Sequence, residues 1–236
     1  MEARVHTTEI PSPDGVSARA DDGAAAVPAF DQRFRAQFAD LIAWRRDVRR
    51  FRPDPVPAEL IDHLLDLAQL APSVGNSQPW RVVSVDSAAM RGKIQDNFTR
   101  CNAQAALSFQ GRRAQLYARL KLEGIAIAPK QFAVFCDRGT AQGAGVGCRT
   151  MPEALDYSVA VMIETFWLAA RAHGLGLGWV SILDPVQVKT DLDVPAPWKF
   201  IAYLCVGWPE EEHIDPELER SGWQPRTSAG RTVLQR

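Results

Sequence analysis

Four apolar side chains, Phe34, Phe38, Leu41 and Ile42, recur at helical spacing behind Asp31, whose carboxylate can accept the open N–H groups of a first turn. This predicts an amphipathic helix from about residue 31. A second helix follows Pro57, with Leu60, Ile61, Leu64, Leu65 and Ala68 on one side, and ends at Ala71-Pro72-Ser73. Arg81–Val85 and Gln131–Cys136 read as strands. Between them, residues 87–124 look helical but polar. Arg112, Arg113, Lys121 and Glu123 are interspersed with Leu116, Tyr117, Leu120 and Leu122, the pattern of a lid-like excursion or equally of a solvated surface helix. From Leu155 to His173 the chain is almost continuously apolar, too short and too polar-flanked to span a membrane. A central helix buried on nearly all sides is expected there, with Gly174 just past its cap. Such a helix in one modest domain needs a cover for its last face, which predicts a homodimer. Residues 1–29, rich in Pro, Ser, Asp, Gly and Ala without period, are expected to be a flexible tail, and residues 30–236 a single domain.

Composition removes several classes of function. With 46% hydrophobic residues, 23% charged and a formal net charge of −1, the chain lacks the broad basic field of a nucleic-acid binder. No apolar signal segment opens it, and cysteines 101, 136, 148 and 205 form no Cys-x-x-Cys pair, so a reducing cytoplasm is the expected compartment. Cys136 and Cys205 lie in apolar runs, where a thiol is expected to be buried and inert. His6, His63, His173 and His213 share no short spacing with another ligand, so no metal site is expected.

Charge matters locally instead. Arg45-Arg46-Asp47-Val48-Arg49-Arg50-Phe51 sets four guanidinium groups around a carboxylate at the end of the first helix. Arginines grip phosphate through paired, charge-assisted hydrogen bonds, so a nucleotide or flavin phosphate suits this run. The acid among them reads, on composition alone, as a surface ion-pair partner. Ser73-Val74-Gly75-Asn76-Ser77-Gln78-Pro79-Trp80 is a loop suited either to presenting amides to a planar ligand or simply to turning helix into strand. Gly139, Gly143, Gly145 and Gly147 lack the strand-to-helix G-x-G-x-x-G setting of a dinucleotide site. In Gly174-Leu175-Gly176-Leu177-Gly178-Trp179-Val180-Ser181, three glycines permit close backbone approach.

In this order and at these separations, RRDVRRF, APSVGNSQPWRVVSV and LAARAHGLGLGWVSI resemble the nitroreductase-type flavoproteins over roughly residues 31–228. In that superfamily the first motif usually reads Arg-Arg-Ser. Asp47 at the serine position, Ser181, and the segment Lys121 to Gly124 together resemble its 5,6-dimethylbenzimidazole synthase branch. The resemblance implies an α+β fold, with a central mixed, mostly antiparallel sheet flanked by helices, in an intertwined homodimer with FMN at the subunit interface. It further implies that reduced FMN is the substrate, fragmented with O2 to 5,6-dimethylbenzimidazole, the lower ligand of vitamin B12, and erythrose 4-phosphate. A separate NAD(P)H flavin reductase would supply the reduced FMN. Carried over by position, Arg45, Arg46, Arg49 and Arg226 hold the phosphate and polar edge of FMN, and Asp47 is the base near the first ribityl carbon. Ser181 orients ribityl hydroxyls, the Gly75 amide stabilises developing oxygen charge, and Asn76 meets the ring edge. Val48, Ser73, Arg113 and Leu122 complete the implied FMN contacts; Asp47, Ser181 and Gly75 form the implied catalytic set. The alternative within the superfamily is an NAD(P)H-dependent nitroreductase or flavin reductase that keeps its FMN. Outside it stands a non-enzymic flavin carrier or nucleic-acid module using the arginine run, against which the net charge weighs.

Overall fold

Asp31 caps the first helix as its position predicts: its carboxylate accepts the Phe34 N–H at 2.7 Å, and α1 runs Gln32–Trp44. The structure, a computed structural model, describes residues 27–236, so the tail expected over 1–29 lies outside the described residues up to residue 26. The chain divides into two units, Met1–Ala36 and Gln37–Arg236. In the first, the Phe30 ring stacks on Phe34 at 4.7 Å. The second holds the remaining elements.

Two strands form the centre of a four-stranded sheet. β1 (Trp80–Ser84), β2 (Lys130–Asp137), β3 (Gly176–Val180) and β4 (Trp198–Gly207) are ordered β1-β2-β4-β3, and every strand pair is antiparallel. Among the described residues, parallel pairing is confined to an isolated bridge between Asp47 and Leu177. Alternation along β2 and β4 sorts their side chains into two cores, because successive residues point to opposite faces. Phe132, Val134, Cys136, Ala202, Leu204 and Val206 join one cluster with α2 (Ala58–Ala68) and α5 (Ala154–Ala172). Ala133, Phe135, Tyr203 and Cys205 join the other, with Ile94 and Phe98 of α3 (Ala88–Ala106). A sheet covered by helices on both faces accounts for why its central strands read as continuous apolar runs.

α2 buries Ile61, Leu64 and Ala68 against that first core, the face its periodicity predicts. The long apolar helix is buried on most sides, with one face left open within the chain. α5 buries Leu155, Val159, Met162, Ile163, Phe166, Trp167 and Ala170, yet Tyr157, Val161 and Glu164 form an exposed stripe. Those three positions, four and three residues apart, lie on one helical face, so within one chain burial covers only the opposite side. The helix closes as predicted. Gly174 takes a φ of 77°, its N–H bonds Arg171 O, and the Leu175 N–H bonds Ala170 O, the paired pattern of a glycine C-terminus.

The polar excursion is two helices, α3 and α4 (Gly111–Tyr117), and the helical pattern expected over residues 87–124 stops at Tyr117. Beyond it the chain turns inward. A Cβ at Gly124 would run into the Phe51 ring, and the Lys121 carbonyl is taken by Arg49, so tertiary contacts rather than a helical ladder occupy this segment.

Both central cysteines are fully buried, and burial pushes the Cys136 thiol up to about 12 and the Cys205 thiol still further up. A thiol this hard to ionise does not react as a nucleophile at neutral pH. Iodoacetamide at pH 8 is expected to leave Cys136 and Cys205 unmodified in the native protein and to alkylate both after denaturation, as peptide mass spectrometry would show.

Residues 45–51 lie against β3, where the Val48 N–H donates to Leu177 O at 3.0 Å. The approach is close because β3 lacks side chains there. A Cβ at Gly178 would strike the Val48 carbonyl oxygen, and one at Gly176 would press on the Val48 side chain at 2.8 Å. Gly178→Ala is therefore expected to lower stability by ~1–3 kcal/mol, the usual cost of overpacking, read as a fall in denaturation midpoint. An unchanged midpoint would show that the two segments can separate freely.

Candidate active site

The docked segment fixes Asp47 through three N–H donors. The Trp179 backbone N–H reaches Oδ1 at 2.8 Å, while the Arg49 Nε and Nη2 groups reach Oδ2 at 3.0 and 2.8 Å. Arg49 also donates through Nη1 to Lys121 O at 3.0 Å. The Asp47–Arg49 pair is therefore no loose surface contact: the two side chains are 33% and 12% exposed. A carboxylate offers about four lone-pair sites, two per oxygen, and Oδ2 is filled. Oδ1 keeps one acceptor site.

Around this acid the neighbouring charges are paired unevenly. Arg50 donates to Glu217 and Glu211, and Arg45 meets Glu164 at 3.5 Å while its guanidinium lies 4.8 Å over the Trp167 ring. The Trp167 indole N–H holds the Arg46 carbonyl at 3.1 Å, which ties the arginine run to α5. Arg46 bonds the Ala43 carbonyl through Nη2, and its Nε is buried without a hydrogen-bond partner among the described residues. Burial, and then the nearby Arg226 and Arg45, hold the Arg46 guanidinium below its usual value, partly offset by Asp215. A buried donor left open between like charges is what an anion repairs. Arg45, Arg46, Asp47, Arg49 and Arg226 line one cleft of about 270 Å³ with Pro216, Glu217 and Leu218.

Three predicted residues lie on segments next to Asp47 and Arg49, outside the lining of the cleft. Val48 packs on β3 beside it, and Ser181 follows β3, exposed, two residues or about 7 Å of extended chain past Trp179. Leu122 is partly buried in the second core, next to the Lys121 carbonyl that Arg49 holds. Arg113 faces elsewhere, its guanidinium 4.7 Å over the Trp223 ring and donating to the Trp223 carbonyl.

The remaining predicted residues lie far off. Ser73 Oγ accepts the Gln78 N–H, Gly75 and Asn76 take φ values of 57° and 52°, and the Val74 N–H donates to Ser158 Oγ near the start of α5. From Ser158 to Trp167 is about 14 Å along the helix. The sheet register agrees: Leu177 pairs with Val206 and Val206 with Lys130, whereas Trp80 pairs with Cys136. Three strand spacings and six residues along β2 separate Trp80 from Leu177 by about 25 Å. Within one chain the Gly75 loop and the Asp47 cleft do not meet.

Sequence reasoning missed the residues that act through their backbone or as platforms. The Trp179 N–H and Lys121 carbonyl carry no side-chain signal, and Trp167 was visible only as an apolar helix position. The glycine-rich loop around Gly143 also has a role: Gln142 Nε2 donates to the Asn76 carbonyl and Gln78 Oε1 at 2.8 and 2.9 Å, bracing the Gly75 turn.

Comparison with known proteins places this geometry. The Nitroreductase family profile matches residues 42–208. The chain is 61% identical over 199 residues to a 5,6-dimethylbenzimidazole synthase of Rhodospirillum rubrum, covering 84% of this chain and 94% of that protein. It is 49% identical over 195 residues to one of Rhodobacter capsulatus, covering 83% and 94%. Among solved structures, an iodotyrosine deiodinase bound to FMN and 3-iodo-L-tyrosine superposes with a TM-score of 0.65 at 24% identity, covering 84% of this chain and 97% of that one. A nitroreductase-like protein from Streptococcus mutans gives 0.60 at 22%, covering 86% and 100%. With the profile spanning most of the chain and relatives this near along almost their whole length, the chain belongs to the nitroreductase family, on its 5,6-dimethylbenzimidazole synthase branch.

Proposed function

We propose that this protein makes 5,6-dimethylbenzimidazole, the lower ligand of vitamin B12, from reduced FMN and O2, releasing erythrose 4-phosphate. One observation above all carries the reading: the 61% identity to a 5,6-dimethylbenzimidazole synthase, over nearly all of that protein. The cleft fits the phosphate end of FMN, because Arg46 has a buried donor to give and is crowded by Arg45 and Arg226. Reduced FMN and O2 supply the electrons and the oxidant for the ring and side-chain cleavage.

This chain's residues then bind, orient and move a proton. Arg45, Arg46 and Arg226 hold the phosphate. Arg49 is a positioning residue, with three of its N–H groups committed to Asp47 and Lys121. Asp47 Oδ1, aimed by the Trp179 N–H, is the atom with a free lone pair for a proton leaving the first ribityl carbon. Ser181, Val48 and Leu122 would approach the flavin from the segments beside Asp47 and Arg49, whereas Arg113 is engaged by Trp223.

The Gly75 loop joins the cleft only through a second copy. Ser158, which anchors the loop, and Trp167, which anchors the arginines, lie on either side of Val161 on α5. A two-fold axis through the exposed stripe of Tyr157, Val161 and Glu164 would set the Ser158 end of one helix beside the Trp167 end of the other. Ile42 and Trp44 of α1, 49% and 38% exposed, would extend the covered apolar surface. The cleft's 270 Å³ in one chain is below the ~300–1,000 Å³ usual for cofactor pockets, in keeping with a site completed across an interface. Each cleft would then receive the partner subunit's Gly75 and the partner subunit's Asn76, with Ser73 shaping that turn. No helix among the described residues is long and apolar enough to cross a membrane. A cytoplasmic setting with a separate flavin reductase completes the proposal.

Reduced FMN and air, supplied without NAD(P)H, are expected to yield 5,6-dimethylbenzimidazole by mass spectrometry with matching loss of flavin absorbance. Preserved absorbance and no benzimidazole would favour a nitroreductase that recycles its flavin. Asp47→Asn should keep FMN binding within a few-fold while product formation falls at least ~100-fold, the scale of a lost general base. Equal yields would remove Asp47 from the chemistry. The shared site has its own signature: Asp47→Ala and Asn76→Asp homodimers should each be nearly inactive, while an equal mixture after subunit exchange recovers about a quarter of the native sites by random pairing. No recovery would argue that both halves serve within one subunit.

A further inference from the structure

The α3–α4 excursion packs on one residue, close in sequence to the arginine cleft, that the reaction leaves unassigned. Trp223 stands at the centre of an aromatic cluster: its ring meets Phe109 edge-on at 5.2 Å and Tyr117 at 5.9 Å, while Phe109 and Tyr117 stack at 4.7 Å. Arg113 covers the indole at 4.7 Å and donates to the Trp223 carbonyl at 2.6 Å. Tyr117, buried at the end of α4, donates through its hydroxyl to Asn102 Oδ1 on α3 at 2.6 Å. α4 thus meets this indole directly, and α3 reaches it through Tyr117.

The backbone of Trp223 is tied to the wall of the cleft. Its N–H and that of Gln224 both donate to the carbonyl of Leu218, a residue of the cleft wall. Three residues on stands Arg226, whose guanidinium faces Arg46 across the cleft. Between them Pro225 fixes its own φ and restricts Gln224 to extended backbone, which makes Trp223-Gln224-Pro225-Arg226 a stiff connection.

We infer that Trp223 and Arg113 are positioning residues that couple occupancy of the phosphate cleft to docking of the α3–α4 excursion, so that a flavin carrying a phosphate holds the excursion closed and one without it does not. The inference rests on the function proposed above. A phosphate that draws in Arg226 fixes the short segment from 223 to 226, and the indole then offers α4 an immobile platform. Without that anion Arg226 is repelled by Arg46 and the platform is free to move. Coupling of this kind is reciprocal: whatever phosphate contributes to docking, docking contributes to phosphate binding.

The test is a pair of titrations, FMN and riboflavin, on the full-length native protein and on Trp223→Ala, with Phe109→Ala as a second route to the same loss. Amide hydrogen exchange over residues 109–118 is followed in each complex. FMN is expected to protect this segment in the native protein, whereas riboflavin leaves it exchanging as in the free protein. Either substitution should abolish the protection and weaken FMN binding by about tenfold, the scale of one aromatic pair with a cation–π contact, while riboflavin affinity stays unchanged. Equal weakening of both flavins marks a structural role only and overturns the coupling, as does undiminished FMN protection in the variants. If the native protein binds no FMN, the function proposed above fails and the coupling with it; if it binds FMN and the variants match it, the coupling fails alone.

Discussion

How closely residues 45–51 can lie against β3 decides the rest of the site. Val48 takes the place of a partner strand for one residue, donating to Leu177, and the fit depends on β3 having hydrogen atoms where side chains would stand. Only then does the Trp179 N–H come within hydrogen-bonding distance of Asp47. A backbone donor in a strand held on its other edge by β4 is a rigid mount, and its direction selects which carboxylate oxygen keeps a free lone pair. The glycines thus act by omission.

Charge pairing then separates roles within a run that looks uniform in sequence. Arg49 serves the acid, Arg50 serves Glu217, and Arg45 is shared between Glu164 and the Trp167 ring. Arg46 is left with a buried open donor beside Arg226. Pairs that are partly shielded from water hold their geometry better than exposed ones, so the Asp47–Arg49 pair, largely buried on the arginine side, orients, whereas Arg52 and Asp54, more than half exposed, contribute little. A phosphate offered to this cleft meets Arg46 and Arg226, whose mutual repulsion Asp215 offsets only in part.

The excursion and the C-terminal segment complete the arrangement from outside the sheet. α3 is anchored in the second core through Ile94 and Phe98, but α4 buries only Tyr117 and leans on Trp223. A short helix with so little buried area opens at low cost, and such segments are where binding can order a structure. Its aromatic seat, three residues before Arg226, gives that ordering a physical route from a bound phosphate.

Much of this was legible in the chain. Helical spacing placed α2 and the Asp31 cap, apolar runs placed β2 and α5, and Gly174 ended α5, because these are local effects of side-chain period and backbone freedom. The arginine run, the Asp47 substitution and the glycines of β3 pointed to a phosphate-bearing flavin through their resemblance to a family. Long-range decisions were not legible. That α4 stops at Tyr117, that Arg113 turns to Trp223, and that Trp80, which follows the Gly75 loop, stands about 25 Å from Leu177, which Asp47 bridges, all depend on which surfaces meet. Sequence alone determined the elements and the kinds of chemistry available, since those reside in single residues and their spacing. Only the tertiary structure decided which donor faces which acceptor, because hydrogen-bond direction and charge pairing are set where distant segments come into contact.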